Sequence, residues 1–202
     1  MSKTLMILTL ALGLGLTPGA GTAGAQSDDK HPVVVIDTSM GEITVELDAE
    51  KAPISTENFL KYVDDKYYDG LIFHRVIPNF MIQGGGFDQK LNPKRQGLRA
   101  PILNEGGNGL KNARGTIAMA RTRDPNSATS QFYINHKDND FLNRAPGNPG
   151  YAVFGKVVGG MDVLDKIANT RTVRSQAADG QPLEALPAEA VVIKSIRRKN
   201  KS

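Results

Sequence analysis

Histidines, hydroxyls, thiols and carboxylates carry most protein chemistry, and here none of them is spaced for it. His31, His74 and His136 share no metal-ligand spacing, and neither an HExxH nor a GxSxG pattern occurs. Gly84-Gly85-Gly86 lacks the Lys-Ser/Thr of a phosphate loop, and Gly13 to Gly19 mimics part of a dinucleotide fingerprint only inside an N-terminal leader. There is no cysteine, which excludes disulfide scaffolds, thiol nucleophiles and cysteine-based zinc sites. Carboxylates are plentiful, but spacing alone brings no two of them together. What stands out is a cation: Arg75, in Phe73-His74-Arg75-Val76-Ile77-Pro78-Asn79-Phe80-Met81-Ile82-Gln83-Gly84-Gly85. Read as a strand, Phe73, Arg75 and Ile77 share one face and His74 takes the other, a structural position. Pro78 then bends the chain. Burying a guanidinium without a partner is costly. Arg75 therefore either snorkels to water at a rim or aims its donors at something that needs them.

The elements that must position it read as short strands. Val33 to Thr38 and Glu42 to Leu47 are rich in β-branched residues, the second alternating strictly, and Ser39-Met40-Gly41 between them makes a hairpin. Pro53 opens a helix to Asp65, with Phe59, Leu60 and Val63 as its apolar stripe. Further strand-like pieces fall at 73–77, 80–83, 116–120, 131–135, 152–158 and 191–196, and a second helix fits Met161 to Ala168. Long glycine-rich connections occupy 84–115, 136–150 and 170–190, and His136 reads as a loop residue. The expectation is a mainly β fold, a closed eight-stranded antiparallel β-barrel capped by two α-helices, because closure hides the edges of many short strands.

Composition agrees. The 202 residues are 40% apolar and 23% charged, enough for one domain with a real core. Twenty-one glycines and eleven prolines are too many for a helical bundle and too few for a disordered chain. Lys and Arg number 25 against 21 Asp and Glu, scattered except for Arg197, Arg198, Lys199 and Lys201, so no nucleic-acid stripe is present. Met1 to Ala25 has the layout of a secretory signal peptide: Lys3, an apolar run from Leu5 to Leu16, then Ala23-Gly24-Ala25. That run is shorter than the ~20 residues that span a bilayer. The chain divides into a signal peptide (1–25), a polar linker (26–32), one domain (33–196) and a basic tail (197–202). The expected address is the periplasm, where a chain without cysteines has nothing to mispair.

Phe73 to Gly85 resembles the signature of the cyclophilin-type peptidyl-prolyl cis-trans isomerases. The likeness continues through Gly115 to Ala120, Ser130 to Ile134, Asp140-Phe141-Leu142 and Val153 to Val157, in family order across about 33–196. With the leader and Tyr151 to Gly155, the chain is most similar to the secreted bacterial branch. The resemblance implies an outer-face substrate groove. It implies Arg75 as the catalytic guanidinium and Gln83 as its hydrogen-bond partner, with Gln131 beside them. Phe80, Met81, Tyr133 and Leu142 would line a proline pocket, while the backbone of Ala120 and Arg121 pairs with extended substrate. The chain departs from many eukaryotic members: Phe141 replaces Trp, Tyr151 a pocket His, Tyr133 a pocket Phe and Arg121 an Asn. The resemblance further implies no cofactor and no metal, and a monomer. Its partners would be proline-containing polypeptides, namely unfolded or partly folded exported proteins, with weak cyclosporin binding because Phe141 lacks an indole N–H.

The residue types suit that reaction. An X-Pro bond prefers trans by only about 0.5–1 kcal/mol, yet a barrier of roughly 18–20 kcal/mol, the lost amide resonance, slows its rotation. The planar prolyl nitrogen offers no lone pair. Twisted, it pyramidalises and accepts a hydrogen bond. A donor aimed there binds the transition state better than the ground state, which is what acceleration requires. Arginine stays charged and presents a rigid fork of donors. Two rival readings remain at this point: a proline-peptide binding module on the same scaffold, for which the guanidinium would be superfluous, and a barrel holding a small ligand inside, against which bulky alternating residues argue.

Overall fold

A computed structural model describes residues 30–199. The proposed signal peptide and most of the linker lie outside these residues. Ten strands and two helices follow in order: β1 (Val33–Thr38), β2 (Gly41–Leu47), α1 (Pro53–Asp64), β3 (Leu71–Ile77), β4 (Met81–Asp88), β5 (Thr116–Met119), β6 (Phe132–Asn135), β7 (Val153–Gly159), α2 (Met161–Ala168), β8 (Thr172–Gln176), β9 (Pro182–Pro187) and β10 (Ile193–Arg198). Eight strands form one antiparallel sheet in the order β10-β1-β2-β7-β5-β6-β4-β3. Its two edges meet: Gly70 N–H donates to Ile193 O at 2.9 Å, Phe73 N–H to Val191 O at 3.0 Å, and Ile72 bridges Val192. The sheet is thereby a barrel, as the pattern of short strands implies.

Alternation fills the inside. Val34 and Ile36 of β1, and Ile43, Val45 and Leu47 of β2, are fully buried in one cluster with Phe73, Ile117, Phe132 and Phe154. Both helices add to that cluster, α1 through Phe59, Leu60, Tyr62 and Val63, α2 through Val163, Leu164 and Ile167. Helix α1 begins on Pro53 after Ala52, which offers no side-chain cap. A remote carboxylate replaces it: Glu105 accepts from the N–H groups of Ile54 (3.0 Å) and Ser55 (2.7 Å) and from the Ser55 hydroxyl (2.6 Å). That satisfies the orphan donors of the first turn and fastens the 89–115 loop to the helix.

The structure corrects several expectations. Residues 170–190 are not plain connection; β8 and β9 form a hairpin whose Leu183 and Leu186 pack with Ile72, Phe87 and Ala177 outside the barrel. Strand β4 runs through Gly84-Gly85-Gly86 to Asp88 rather than stopping at Gln83. The ends are also tied in. Arg197 and Arg198 belong to β10 and pair with Asp69 and Asp64, so the domain extends past 196. At the other end Lys30 O and Pro32 O accept from Ala49 N–H and Leu47 N–H.

Candidate active site

The candidate residues are brought together by strand register. Arg75 faces Gln83 across β3–β4, Gln83 faces Tyr133 across β4–β6, Tyr133 faces Ala118 across β6–β5, and Ala118 faces Val153 across β5–β7. Directly opposed residues share a face, so this row crosses five strands on one side of the sheet. That side is the outer one: Met81, Ala118, Tyr133, Leu142 and Val153 form a buried cluster separate from the barrel core, flanked by Ile77, Phe80, Ala120 and Tyr151.

A register shift makes Arg75 face outward. Between the pairs Phe73–Gly84 and Arg75–Gln83, β3 advances two residues and β4 one. His74 is therefore the extra residue of a bulge, a device that re-aims the side chains beyond it. Phe73 points into the core and Arg75 does not, so the expectation that they share a face is overturned, together with the simple alternation behind it. His74 is buried, with its ring 4.7 Å from Phe87 and its Nδ1 without a partner. Burial first, and then the Arg75 charge, pull its pKa from 6.5 down to about 4, so it is neutral near pH 7.

Arg75 and Gln83 open onto a cavity of about 110 Å³, with Phe80, Met81, Tyr133 and Leu142 on its walls. At the ~30 Å³ that one water occupies in the liquid, it has the volume of roughly three or four waters, and a five-membered ring, whose bonded atoms pack closer than separate waters, is on that scale. Ala120, Arg121 and Tyr151 complete the lining. A broader cleft of about 560 Å³, lined by Asn79, Arg114, His136 and Asp165 among others, is wide open to solvent and holds none of the Arg75 row.

Three placements differ from expectation. Gln83 does not hold Arg75: its side-chain N–H donates to Gln131 Oε1 at 2.9 Å. The Arg75 guanidinium instead lies over Phe80, 5.6 Å from the ring centroid, a cation–π arrangement. Gln131 stands behind Gln83 rather than on the wall, and it can do so because Gly86 has no side chain; a Cβ there would come within 2.6 Å of the Gln131 amide. Phe141 is 67% exposed and stacks on Phe80 at 5.6 Å, at the rim rather than in the cavity.

Supporting residues that spacing did not reveal are asparagines. The Tyr133 hydroxyl donates to Asn112 Oδ1 at 2.7 Å, and the Asn112 amide donates to Asn143 Oδ1 at 3.1 Å. Asn139 donates to Asn135 Oδ1 (2.7 Å) and to the Phe80 carbonyl (2.9 Å), which also accepts from His136 N–H (2.9 Å). Burial raises the Tyr133 pKa well above its ordinary value, so this phenol stays a neutral donor. His136 Nδ1 accepts from Asn79 N–H at 3.0 Å, which leaves Nε2 to donate to Asp165 at 3.0 Å. That tie anchors the turn leading into Phe80. The only sequence signal for these groups is an excess of asparagine around 104–148, which names no partner.

Comparison with known proteins agrees with this geometry. The profile of the cyclophilin type peptidyl-prolyl cis-trans isomerase/CLD family matches residues 33–197. A peptidyl-prolyl cis-trans isomerase of Acinetobacter baylyi is 55% identical over 166 residues, 82% of this chain and 87% of that protein. Peptidyl-prolyl cis-trans isomerase A of Dickeya dadantii is 45% identical over 197 residues, 98% of each chain. Among solved structures, a cyclophilin type isomerase of Cryptosporidium parvum, crystallised in the presence of the dipeptide Ala-Pro, superposes with a TM-score of 0.66 at 27% identity, over 84% of this chain and 99% of that one.

Proposed function

The chain belongs to the cyclophilin-type peptidyl-prolyl cis-trans isomerases, and on that premise we propose that Arg75 carries the reaction, acting on proline segments of exported proteins. The protein is a peptidyl-prolyl cis-trans isomerase. The observation that carries the site assignment is the row running from Arg75 through Gln83 and Tyr133 to Ala118, set beside a ring-sized cavity.

The pyrrolidine ring seats against Phe80, Met81, Tyr133 and Leu142 while the preceding carbonyl swings. Aromatic walls give contact area at low entropic cost and Met81 adapts to the ring. Arg75, held over Phe80 between apolar walls, donates to the prolyl nitrogen once its conjugation is broken. In a site screened from water such a donor acts more strongly than in bulk. A barrier lowered by about 5 kcal/mol accelerates rotation roughly 10³–10⁴-fold. Gln83, braced by Gln131, bonds the swinging carbonyl or the segment's backbone, and the main chain at Ala120 and Arg121 aligns the segment.

Export to the periplasm rests on the leader at 1–25, and unfolded exported chains are the clients that address would supply. We take the working form as a monomer without cofactor. Catalysed cis-trans relaxation of an Ala-Pro peptide tests the site. Wild-type protein should speed it and Arg75→Ala should not, with the fold retained. Equal acceleration by the two proteins would remove Arg75 from the reaction, and no acceleration by either would favour a pure binding module. Recovery of the mature chain, cleaved near residue 25, from the periplasmic fraction tests the address, and uncleaved cytoplasmic protein would overturn it.

A further inference from the structure

The cavity is bordered by two guanidinium groups and by no carboxylate: Arg75 and Arg121 line it beside apolar and amide side chains. Neither arginine forms an ion pair among the described residues, although twelve such pairs occur elsewhere, so their positive charge is uncompensated. Two acidic side chains that lie close in sequence to site residues, Asp124 to Arg121 and Asp140 to Leu142, are engaged otherwise. Asp124 accepts from Asn126 N–H at 2.9 Å and Asp140 accepts from the Asn143 amide at 3.0 Å.

Arg121 is also fixed in place. Its guanidinium lies 4.2 Å from the Tyr151 ring centroid. Its Nε and Nη2 donate to Gly150 O at 3.3 and 3.0 Å, and its Nη1 to Thr122 O at 2.9 Å. These bonds use three of five N–H groups and leave two for a ligand. Gly150 O takes a further donor, Asn104 Nδ2, at 3.1 Å. A cation already ordered on an aromatic face loses little entropy on meeting an anion, and its carbonyl partners leave the full charge unneutralised.

We propose that Arg121 makes this site a reader of charge, favouring proline segments in which an acidic side chain immediately flanks the proline and disfavouring those with a basic one. The proposal rests on the isomerase reading of the site and adds the substrate class. Arg121 acts here as a specificity-determining residue through its side chain, separately from any main-chain contact it makes with the segment.

The test uses peptides with neutral blocked ends, carrying Glu, Ala or Lys just before the proline, and Glu or Lys just after it. Exchange NMR reads catalysed rates without a coupled protease. At low salt the rate constant kcat/KM should favour Glu over Lys by about tenfold on at least one side of the proline, and 0.5 M salt should shrink that ratio to about twofold. Arg121→Gln should collapse the ratio at low salt to about threefold or less, while Arg121→Lys restores most of it. A merely structural role would lower all peptides together and leave the ratio unchanged. A Glu/Lys ratio near one in the wild type, or one that Arg121→Gln leaves intact, overturns the proposal. If no peptide is accelerated at all, the isomerase reading falls and this one falls with it, a result distinct from acceleration without preference.

Discussion

Gln83 donates its side-chain N–H to Gln131 Oε1 at 2.9 Å, so the amide that faces Arg75 across β3–β4 is braced sideways and leaves the guanidinium to Phe80. Arg75 is thus held by a ring face rather than by a hydrogen bond. An aromatic face attracts a cation without consuming its N–H groups, so all five donors remain available to a twisted imide.

Replacing Arg75 is therefore expected to cost most of the acceleration. Arg75→Ala should lower kcat/KM by about 10²–10³, the usual loss when one preorganised donor is removed. Arg75→Lys should recover little of it, because a point charge on a flexible stem lacks the planar fork. The measurement is relaxation of an Ala-Pro peptide, with circular dichroism to establish that the barrel persists. An Arg75→Lys variant within threefold of wild type would contradict the need for a planar donor.

The Gln83–Gln131 bond predicts a coupling. Gln83→Ala and Gln131→Ala should each slow catalysis, and the double variant should be slower than either by much less than the product of the two effects. A double-mutant cycle should give about 0.5–1.5 kcal/mol, the scale of one neutral hydrogen bond. Independent effects would mean that the brace does not matter to the site. Gly86→Ala should reproduce the Gln131 defect, since its Cβ would occupy the space of that amide.

How far the residues announce themselves depends on what each one depends on. The barrel is legible because its signal is local: period-two runs such as Glu42 to Leu47 bury every second residue. The pocket residues are legible through the resemblance, which placed Phe80, Met81, Tyr133 and Leu142 on one cavity. The bulge at His74 is not, because it depends on how β4 pairs with β3, and one extra residue inverts the face of everything after it. Non-local bonds are equally silent. Nothing near Pro53 foretells that Glu105, about fifty residues on, will cap its helix, and nothing near Tyr133 names Asn112. The hairpin at 172–187 hid behind polar, glycine-containing sequence whose large apolar members are only Val173, Leu183 and Leu186.

His74 makes stability depend on pH in a definite direction. In the folded chain its pKa is about 4, and on unfolding it returns to 6.5. Between those values the unfolded chain binds the extra proton. Stability is therefore full above pH 6.5 and is lost progressively as pH falls towards 4, with no further loss from this group below that. From pH 7 to pH 5 the decrease is about 2 kcal/mol at ~1.4 kcal/mol per pH unit. Urea unfolding midpoints across that range check it. His74→Phe should flatten the slope, because no titrating group is then buried against Phe87; an unchanged slope would place the pH dependence elsewhere.

Asn112 tests whether the pocket floor needs its polar network. Its Oδ1 accepts from the buried Tyr133 hydroxyl and from Asn135 at 3.3 Å, while its amide holds Asn143. Asn112→Leu strands the buried Tyr133 hydroxyl and weakens the ties of the Asn135 amide, which keeps Thr116 Oγ1 at 2.9 Å, and should destabilise the fold by about 1–3 kcal/mol. It should also raise KM for a proline peptide as the Tyr133 ring loosens. Tyr133→Phe is the milder change, since Asn112 keeps Asn135. Thermal denaturation of both variants beside peptide kinetics distinguishes them, and equal losses would show that the hydroxyl itself is essential.

Phe141 bears on drug binding. It stands 67% exposed at the rim, stacked on Phe80, and offers a ring edge but no hydrogen-bond donor. Cyclosporin, a macrocycle rich in carbonyl acceptors, should accordingly inhibit this protein weakly. Phe141→Trp adds an indole N–H at that rim without disturbing the stacking surface, and a single satisfied bond of about 1 kcal/mol tightens binding roughly fivefold, more where the donor is screened from water. The native chain contains no tryptophan, so the variant carries its own fluorescent reporter at the site, and titration reads the affinity directly. Competition in the peptide assay gives the wild-type value for comparison. Nanomolar inhibition of the wild type, lost in Phe141→Ala, would show that the bare phenyl ring already suffices and that the missing donor is irrelevant.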